Sequence, residues 1–318
     1  PTSPKASRSC WQFMLDIFQR TASHTSLASQ NQAVAWMEMH LGTVVEIGCH
    51  AASEAQARAA IAAAFEEVAL IHRLMCFHDG NSDVSRLNSR GAREVVVVNP
   101  RTVNVIRTAC EVSGLSEGHF DITVAPELVR AGCLPRPASA CEPDSGATWR
   151  DIEILAENAV SFRQPLWLDL GGIAKGYAVD RAFSICSALS GGSCLVNAGG
   201  DIRVSDDLTG EISLDVPGCD IREVPRVELS GGSIASSCGW PNAQLNQGAM
   251  IGPHVDGVSR RAIDPNRFVS VLAEDCTIAD ALTKVVLASD AITPRVLKHY
   301  GATALVHREQ GGWIQLPS

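Results

Sequence analysis

The chain of 318 residues is 46% hydrophobic and 19% charged, enough to bury the core of one large domain or two and too apolar for disorder. A formal charge of -9 without a basic run argues against a nucleic-acid surface, and no apolar run reaches the roughly eighteen residues of a membrane span. The 11 cysteines show no CxxC or Cys/His metal spacing, so neither a disulfide framework nor a structural zinc site is expected. Cys110, Cys186 and Cys194 fall on expected core faces, which favours a reducing compartment or buried thiols.

Residues 1–35 are rich in Ser, Thr, Gln and Ala and read as an N-terminal extension with one amphipathic turn (Trp11, Met14, Leu15, Phe18), ahead of one domain over 36–318. No basic cluster followed by an apolar stretch and a small-residue cleavage site is visible, so a secretory leader is not expected in these residues. Leu41–Ile47 predicts a strand. Ser53 and Gln56 have capping-box spacing ahead of a helix from Glu54 to Met75, with Ile61, Phe65, Val68, Ile71 and Met75 on one face. A polar loop over Met75–Asn88 follows, in which His78 reads as a surface histidine and Arg86 and Asn88 as loop-ordering residues.

Val95–Val98 is a β-branched run and predicts a central strand. Asn99 with Pro100 marks the start of a helix ending near Gly114. In the segment from Gly118 to Val129, His119 precedes Phe120 and Asp121, and read alone these are a buried aromatic beside a capping aspartate. Cys133–Thr148 lacks periodicity and predicts a loop.

The run from Leu166 to Arg203 predicts a buried strand (Leu166–Leu170), a turn at Gly171 and Gly172, a helix from Ala174 to Leu189, and a strand (Cys194–Ala198) ending at Gly199, Gly200 and Asp201. Ile173, Ala178, Ala182, Ile185 and Leu189 would form the buried helix face. Two strand ends and a helix start converge there. A helix N-terminus offers unpaired N–H groups and partial positive charge, side-chain-free residues allow close approach, and Lys175 adds a cation, a geometry suited to a phosphate ester or pyrophosphate. A tight turn beside a solvated lysine is the plainer alternative. Short strands at Ile212–Val216 and Val224–Leu229, a helix capped by Thr293 and a hairpin of Thr303–His307 with Trp313–Leu316 complete an α+β pattern of mixed or antiparallel sheets packed by helices.

DLGGIAKGYAVD (residues 169–180) followed by NAGGD (197–201) resembles the signature of the ApbE family, the FAD:protein FMN transferases. Four further segments resemble the family in order. Leu41 takes the Met position of a Met-Gly-Thr strand opening. In MCFHDGNSDVSRLN, His78 stands where the family has a flavin-contacting tyrosine, with Cys76 for its serine and Gly80 for its proline. GHFDITVAPELV resembles the motif that holds the adenosine end of FAD, which implies that role for His119, Phe120 and Asp121. SGGSIASSCGW resembles a further segment, with Ser236, Ser237 and Cys238 at its centre. The family's HIIDPRTG can be matched in two registers: RAIDPN places Arg261 at the histidine, while PHVDGVSRR supplies His254 and Asp256. Spacing to Asp280 favours His254 and Asp256.

The resemblance implies an ApbE-like fold that binds FAD and moves its FMN half to a Thr or Ser hydroxyl of an acceptor flavoprotein, releasing AMP. Gly171, Gly172, Lys175, Asp180, Gly200, Asp201 and Lys284 would then face the cofactor, and His254, Asp256 and Lys175 the chemistry. It also implies Mg²⁺, held by Asp280 and the Ala174 carbonyl, but the family's threonine ligand is replaced by Lys284. An ammonium cannot ligate a metal. Either Mg²⁺ keeps more waters, or Lys284 supplies part of its charge, or Asp280 and Lys284 form a plain i,i+4 ion pair. An FAD-binding carrier without transferase activity and a metal-dependent FAD pyrophosphatase are the alternatives. A periplasmic location follows from the resemblance, and a cytoplasmic one is its alternative.

Overall fold

An eight-stranded antiparallel sheet organises the molecule in the computed structural model, which describes residues 32–138, 140–214, 216, 224–239, 244–246, 249–308 and 312–317. In chain order the strands are β1 (Gln32–His40), β2 (Thr43–Ala51), β3 (Val96–Val97), β4 (Ile152–Ala156), β5 (Ala159–Phe162), β6 (Cys194–Ala198), β7 (Asp201–Ser213), β8 (Arg226–Cys238), β9 (Gln244–Asn246), β10 (Ala249–Ile251), β11 (Val255–Asp256), β12 (Arg261–Ala262), β13 (Phe268–Ala273), β14 (Thr303–Arg308) and β15 (Gly312–Leu316). The large sheet runs β1-β2-β6-β7-β8-β13-β14-β15. The helices are α1 (Glu54–Met75), α2 (Asp83–Arg90), α3 (Pro100–Leu115), α4 (Ala125–Arg130), α5 (Ala174–Ser190), α6 (Cys276–Ala288) and α7 (Thr293–Tyr300).

The apolar face of α1 packs with α5 on β2 and β6 through Ile61, Phe65, Val68, Val179, Ala182, Ile47 and Val196. Ala57, Ala60 and Ala64 lie on the same buried face and keep the approach close. Each large apolar side chain buried there contributes about 1.5–3 kcal/mol. On α5 the buried face is Ala174, Ala178, Val179, Ala182, Cys186 and Ser190. Leu189, expected on that face, is exposed, because the helix presents Cys186 and Ser190 to the sheet instead.

Several expectations are corrected. Leu166–Leu170 is buried at Leu166, Leu168 and Leu170 but forms no strand. At Leu168 the backbone is satisfied by Asn88, whose side chain donates to the Leu168 carbonyl (3.0 Å) and accepts from the Leu168 N–H (2.8 Å), and the Asp169 N–H donates to the Ile122 carbonyl. Part of the expected loop at Met75–Asn88 is helix α2, capped by Ser82. Val95–Val98 is not a central strand: only Val96 and Val97 pair, at the edge of a three-stranded side sheet, with Val95 and Val97 exposed. Ile212 belongs to the long β7, which with β8 replaces two short strands.

Ser53 caps α1, but Gln56 does not complete the box, because its amide donates to the Leu189 and Ser190 carbonyls at the end of α5. Ile292 rather than Thr293 occupies the cap of α7, and Thr293 Oγ1 bonds back to the Ser289 carbonyl. Leu41 sits in a left-handed turn (φ 54°) ahead of β2, and β1 begins at Gln32, inside the expected extension. The amphipathic turn at Trp11–Phe18 lies outside the described residues. Among the described residues no helix is long and apolar enough to cross a membrane.

Candidate active site

The first turn of α5 is built by a glycine-rich reversal: the N–H groups of Ile173 and Ala174 both bond to the Leu170 carbonyl, and no side chain of the preceding residue caps the helix. The cap comes from 104 residues away. Asp280 on α6 accepts the Gly176 N–H through Oδ2 at 3.0 Å. The arrangement is reciprocal, since Asp180 on α5 accepts the N–H groups of Cys276 (3.0 Å) and Thr277 (2.8 Å) in the first turn of α6, together with the Thr277 hydroxyl. Each aspartate thus satisfies orphan donors of the other's helix, worth about 0.5–2 kcal/mol per cap. Gly176 makes the contact sterically open, because a Cβ there would stand 2.3 Å from the Cys276 carbonyl oxygen.

Beside this junction, Lys175 Nζ lies 3.0 Å from Asp201 Oδ2 on β7, and Lys284, one turn after Asp280, donates to the Asp280 carbonyl (3.0 Å) and to Oδ1 of the same residue. Burial opposes the Lys175 charge, but the Asp201 carboxylate, followed by Asp280, outweighs it and holds the ammonium's pKa up. Burial pushes Asp201 the other way, to about 6, against the pull of Lys175.

Lys175 and Lys284 line a cavity of about 810 Å³. His119, Phe120, Asp121, Gly171, Gly172, Lys175, Gly200, His254 and Lys284 all contribute to its wall. Burial first, then the Lys284 charge, depress the His254 imidazole to about 3, so the ring is neutral at physiological pH. Elsewhere in the site, His119 Nδ1 meets Asp256 Oδ1 at 2.7 Å, and Asp256 also accepts the N–H groups of Val258 and Ser259. Against the cost of burial, the Ser259 and His119 bonds hold its carboxyl below the usual range. Asp121 is buried with both oxygens engaged, by Thr123 and by Arg260, while burial raises its pKa despite the guanidinium.

A sequence model described as the ApbE family matches residues 41–305. The chain belongs to the ApbE family. It is 29% identical over 223 residues to an FAD:protein FMN transferase of Vibrio cholerae serotype O1, covering 64% of this chain and 65% of that protein. A second FAD:protein FMN transferase, from Rhodobacter capsulatus, is 26% identical over 295 residues, 86% of this chain and 55% of that one. The chain therefore spans less than two thirds of the length of these relatives. The crystal structure of the ApbE protein of Thermotoga maritima superposes with a TM-score of 0.76 at 27% identity, covering 89% of this chain and 97% of that one. The apo Pseudomonas stutzeri flavinyl transferase ApbE shares the fold, with a TM-score of 0.75 at 20% identity over 92% and 96% of the two chains.

Within this ApbE fold some expected site residues stand elsewhere. Asp180 does not face the cavity, because its carboxylate is consumed by the α6 N-terminus and by Arg203. Leu41 and His78 are outside the wall, although exposed His78 acts electrostatically on Asp169. Asp256 orients His119 rather than lining the cavity, and Asp201 stands behind Lys175. Ala174 and Asp280 are likewise absent from the wall.

The expected Mg²⁺ site does not fit the donor set present. Both Asp280 oxygens already accept bonds, one from Gly176 and one from Lys284, and an ammonium occupies the position of the third expected ligand. Among the described residues no group of three or more His, Cys, Asp or Glu side chains could hold a metal ion.

Sequence reasoning missed Glu46, Asn197 and Asp169, all in the cavity wall. Asn197 donates to Glu46 Oε2 (2.9 Å) and accepts the Gly200 N–H (2.9 Å), while burial raises the Glu46 carboxyl's pKa. The available signal was a glutamate inside the apolar strand VVEIG, where an ionisable group stays buried only with a partner.

Proposed function

We propose that this ApbE chain transfers the FMN half of FAD to a threonine or serine hydroxyl of an acceptor flavoprotein and releases AMP. The observation that carries the reading is the pair of half-buried ammonium groups, Lys175 and Lys284, at the glycine-rich turn in the wall of a cavity of about 810 Å³. A diphosphate is the chemistry such a pair recognises, and a cavity of that size suits a dinucleotide better than a lone phosphate.

Transfer requires the acceptor oxygen to attack the FMN phosphorus as the bond to the AMP oxygen breaks, with negative charge spread over the phosphoryl oxygens. Lys175 supplies positive charge there and is kept protonated by Asp201, so it stabilises that charge without leaving its place. Gly171 and Gly172 let the phosphates approach the backbone. His254 is neutral and able to accept the hydroxyl proton; the incoming diphosphate raises its basicity by offsetting the Lys284 charge. Phe120 offers an apolar face to a ring, with His119 fixed beside it by Asp256.

Incubation with FAD and an acceptor domain bearing a flavinylation threonine is expected to leave fluorescent flavin on the acceptor through denaturing electrophoresis. Release of free FMN and AMP with no labelled acceptor would replace this reading with hydrolysis, and FAD binding without turnover would replace it with a carrier.

A further inference from the structure

We propose that the Lys284 ammonium is a built-in cation at the diphosphate site, so that this chain binds its dinucleotide without a divalent metal. The inference rests on the FAD reading above and concerns how that ligand's charge is met.

Four observations place the cation. Lys284 Nζ is anchored on Asp280 at both the backbone carbonyl, 3.0 Å away, and the carboxylate, which fixes the ammonium one helical turn from its own Cα. The stem runs beneath the glycine turn: a Cβ on Gly172 would stand 3.5 Å from Lys284 Cε and 3.5 Å from Phe120 Cε2, so the turn, the lysine and the aromatic ring pack against one another. Lys284 lines the cavity and its charge acts on His254, Asp169 and Asp201, so it stands among the site's titratable groups. Finally, Lys175 lines the same cavity wall and pairs with a different carboxylate, Asp201, so each ammonium has its own contact partner within one charged cluster.

A hard divalent cation needs oxygen donors in near-octahedral array, and a fixed ammonium against the Asp280 carboxylate expected to hold it both occupies that donor and repels the ion. An anionic diphosphate makes the opposite demand. It accepts hydrogen bonds from ammonium groups, and here one already points from a packed, pre-formed position, so little ordering is needed on binding.

The test uses the full chain and follows FAD binding calorimetrically and by flavin fluorescence, in EDTA and in excess Mg²⁺. Wild-type affinity is expected to agree within about twofold between the two conditions, and Mg²⁺ alone to give no binding heat. In Lys284→Thr, affinity in EDTA should fall by about tenfold or more and recover with Mg²⁺, whereas Lys284→Arg should stay metal-independent. A wild-type affinity that drops about tenfold in EDTA would overturn the inference while leaving the FAD reading intact. Absence of FAD binding in both conditions would overturn the FAD reading itself. The wild-type comparison decides the matter even if a variant fails to fold, which thermal melting by circular dichroism would show.

Discussion

At the lysine end of the cavity Lys175 and Lys284 line the wall, Lys175 in contact with Asp201 and Lys284 with Asp280. In the network around Asp121 and Asp256 the polar groups are turned on one another. Arg260 bonds to Asp121, to the Thr123 carbonyl and hydroxyl and to the Ala147 carbonyl, and Asp256 is spent on His119 and its own turn. The contrast separates two uses of buried charge. Where an ion is left one partner short, its remaining capacity is available to a ligand; where the network closes, the same residue types hold loops in place and set the shape of a wall.

The sharpest way to break that contrast is Lys175→Met. The transfer rate should fall by about 10²–10³, the loss typical of removing one charge-stabilising donor, measured as kcat with a fixed acceptor. Asp201, already at about 6, should take up a proton and limit the damage to folding. A rate within a few-fold of wild type would show that the lysine end is scaffold.

Arg260→Ala should act mainly on stability. It strips the buried Asp121 carboxylate of its cation and is expected to cost about 3 kcal/mol in urea unfolding, with a much smaller change in FAD affinity. If affinity collapses while stability holds, the Asp121 network is the ligand's anchor and the comparison reverses.

The pH profile sharpens the comparison further, since two groups at the lysine end oppose each other. Asp201 is raised from 3.8 to about 6, so its contribution is complete below the lower value and is lost as pH rises to the upper one. His254 is lowered from 6.5 to about 3, so its contribution is present above 6.5 and is lost as pH falls toward 3. The wild type should therefore show a shallow net slope across this window. In Asp201→Asn stability should climb steeply with pH, and in His254→Gln it should decline with pH, by thermal melts in matched buffers.

The smallest effect is expected outside both groups. Asp180→Ala removes the α6 cap but leaves Arg203 its second partner, Asp275, so a loss of about 1–2 kcal/mol is expected with FAD affinity unchanged. A change in affinity larger than in stability would return Asp180 to the cofactor.

Local chemistry along the chain determined a good deal. The caps at Ser53 and Asn99, the buried face of α1, the strand β6 and the turn into α5 depend on neighbours within a few residues, and their periodicity is legible for that reason. The motifs also placed the family, and with it His119, Phe120, Gly171, Gly172, Lys175, Gly200, His254 and Lys284 in one cavity wall. What only the tertiary structure decided was which partner each polar group spends itself on. Leu168 finds its hydrogen bonds on Asn88, Asp180 and Asp280 exchange helix caps across 96 to 104 residues, and Glu46 meets Asn197 from another strand. An aspartate that binds a ligand and one that caps a distant helix have the same local sequence; the difference lies in which donors the fold brings within about 3 Å, and chain spacing carries no record of that distance.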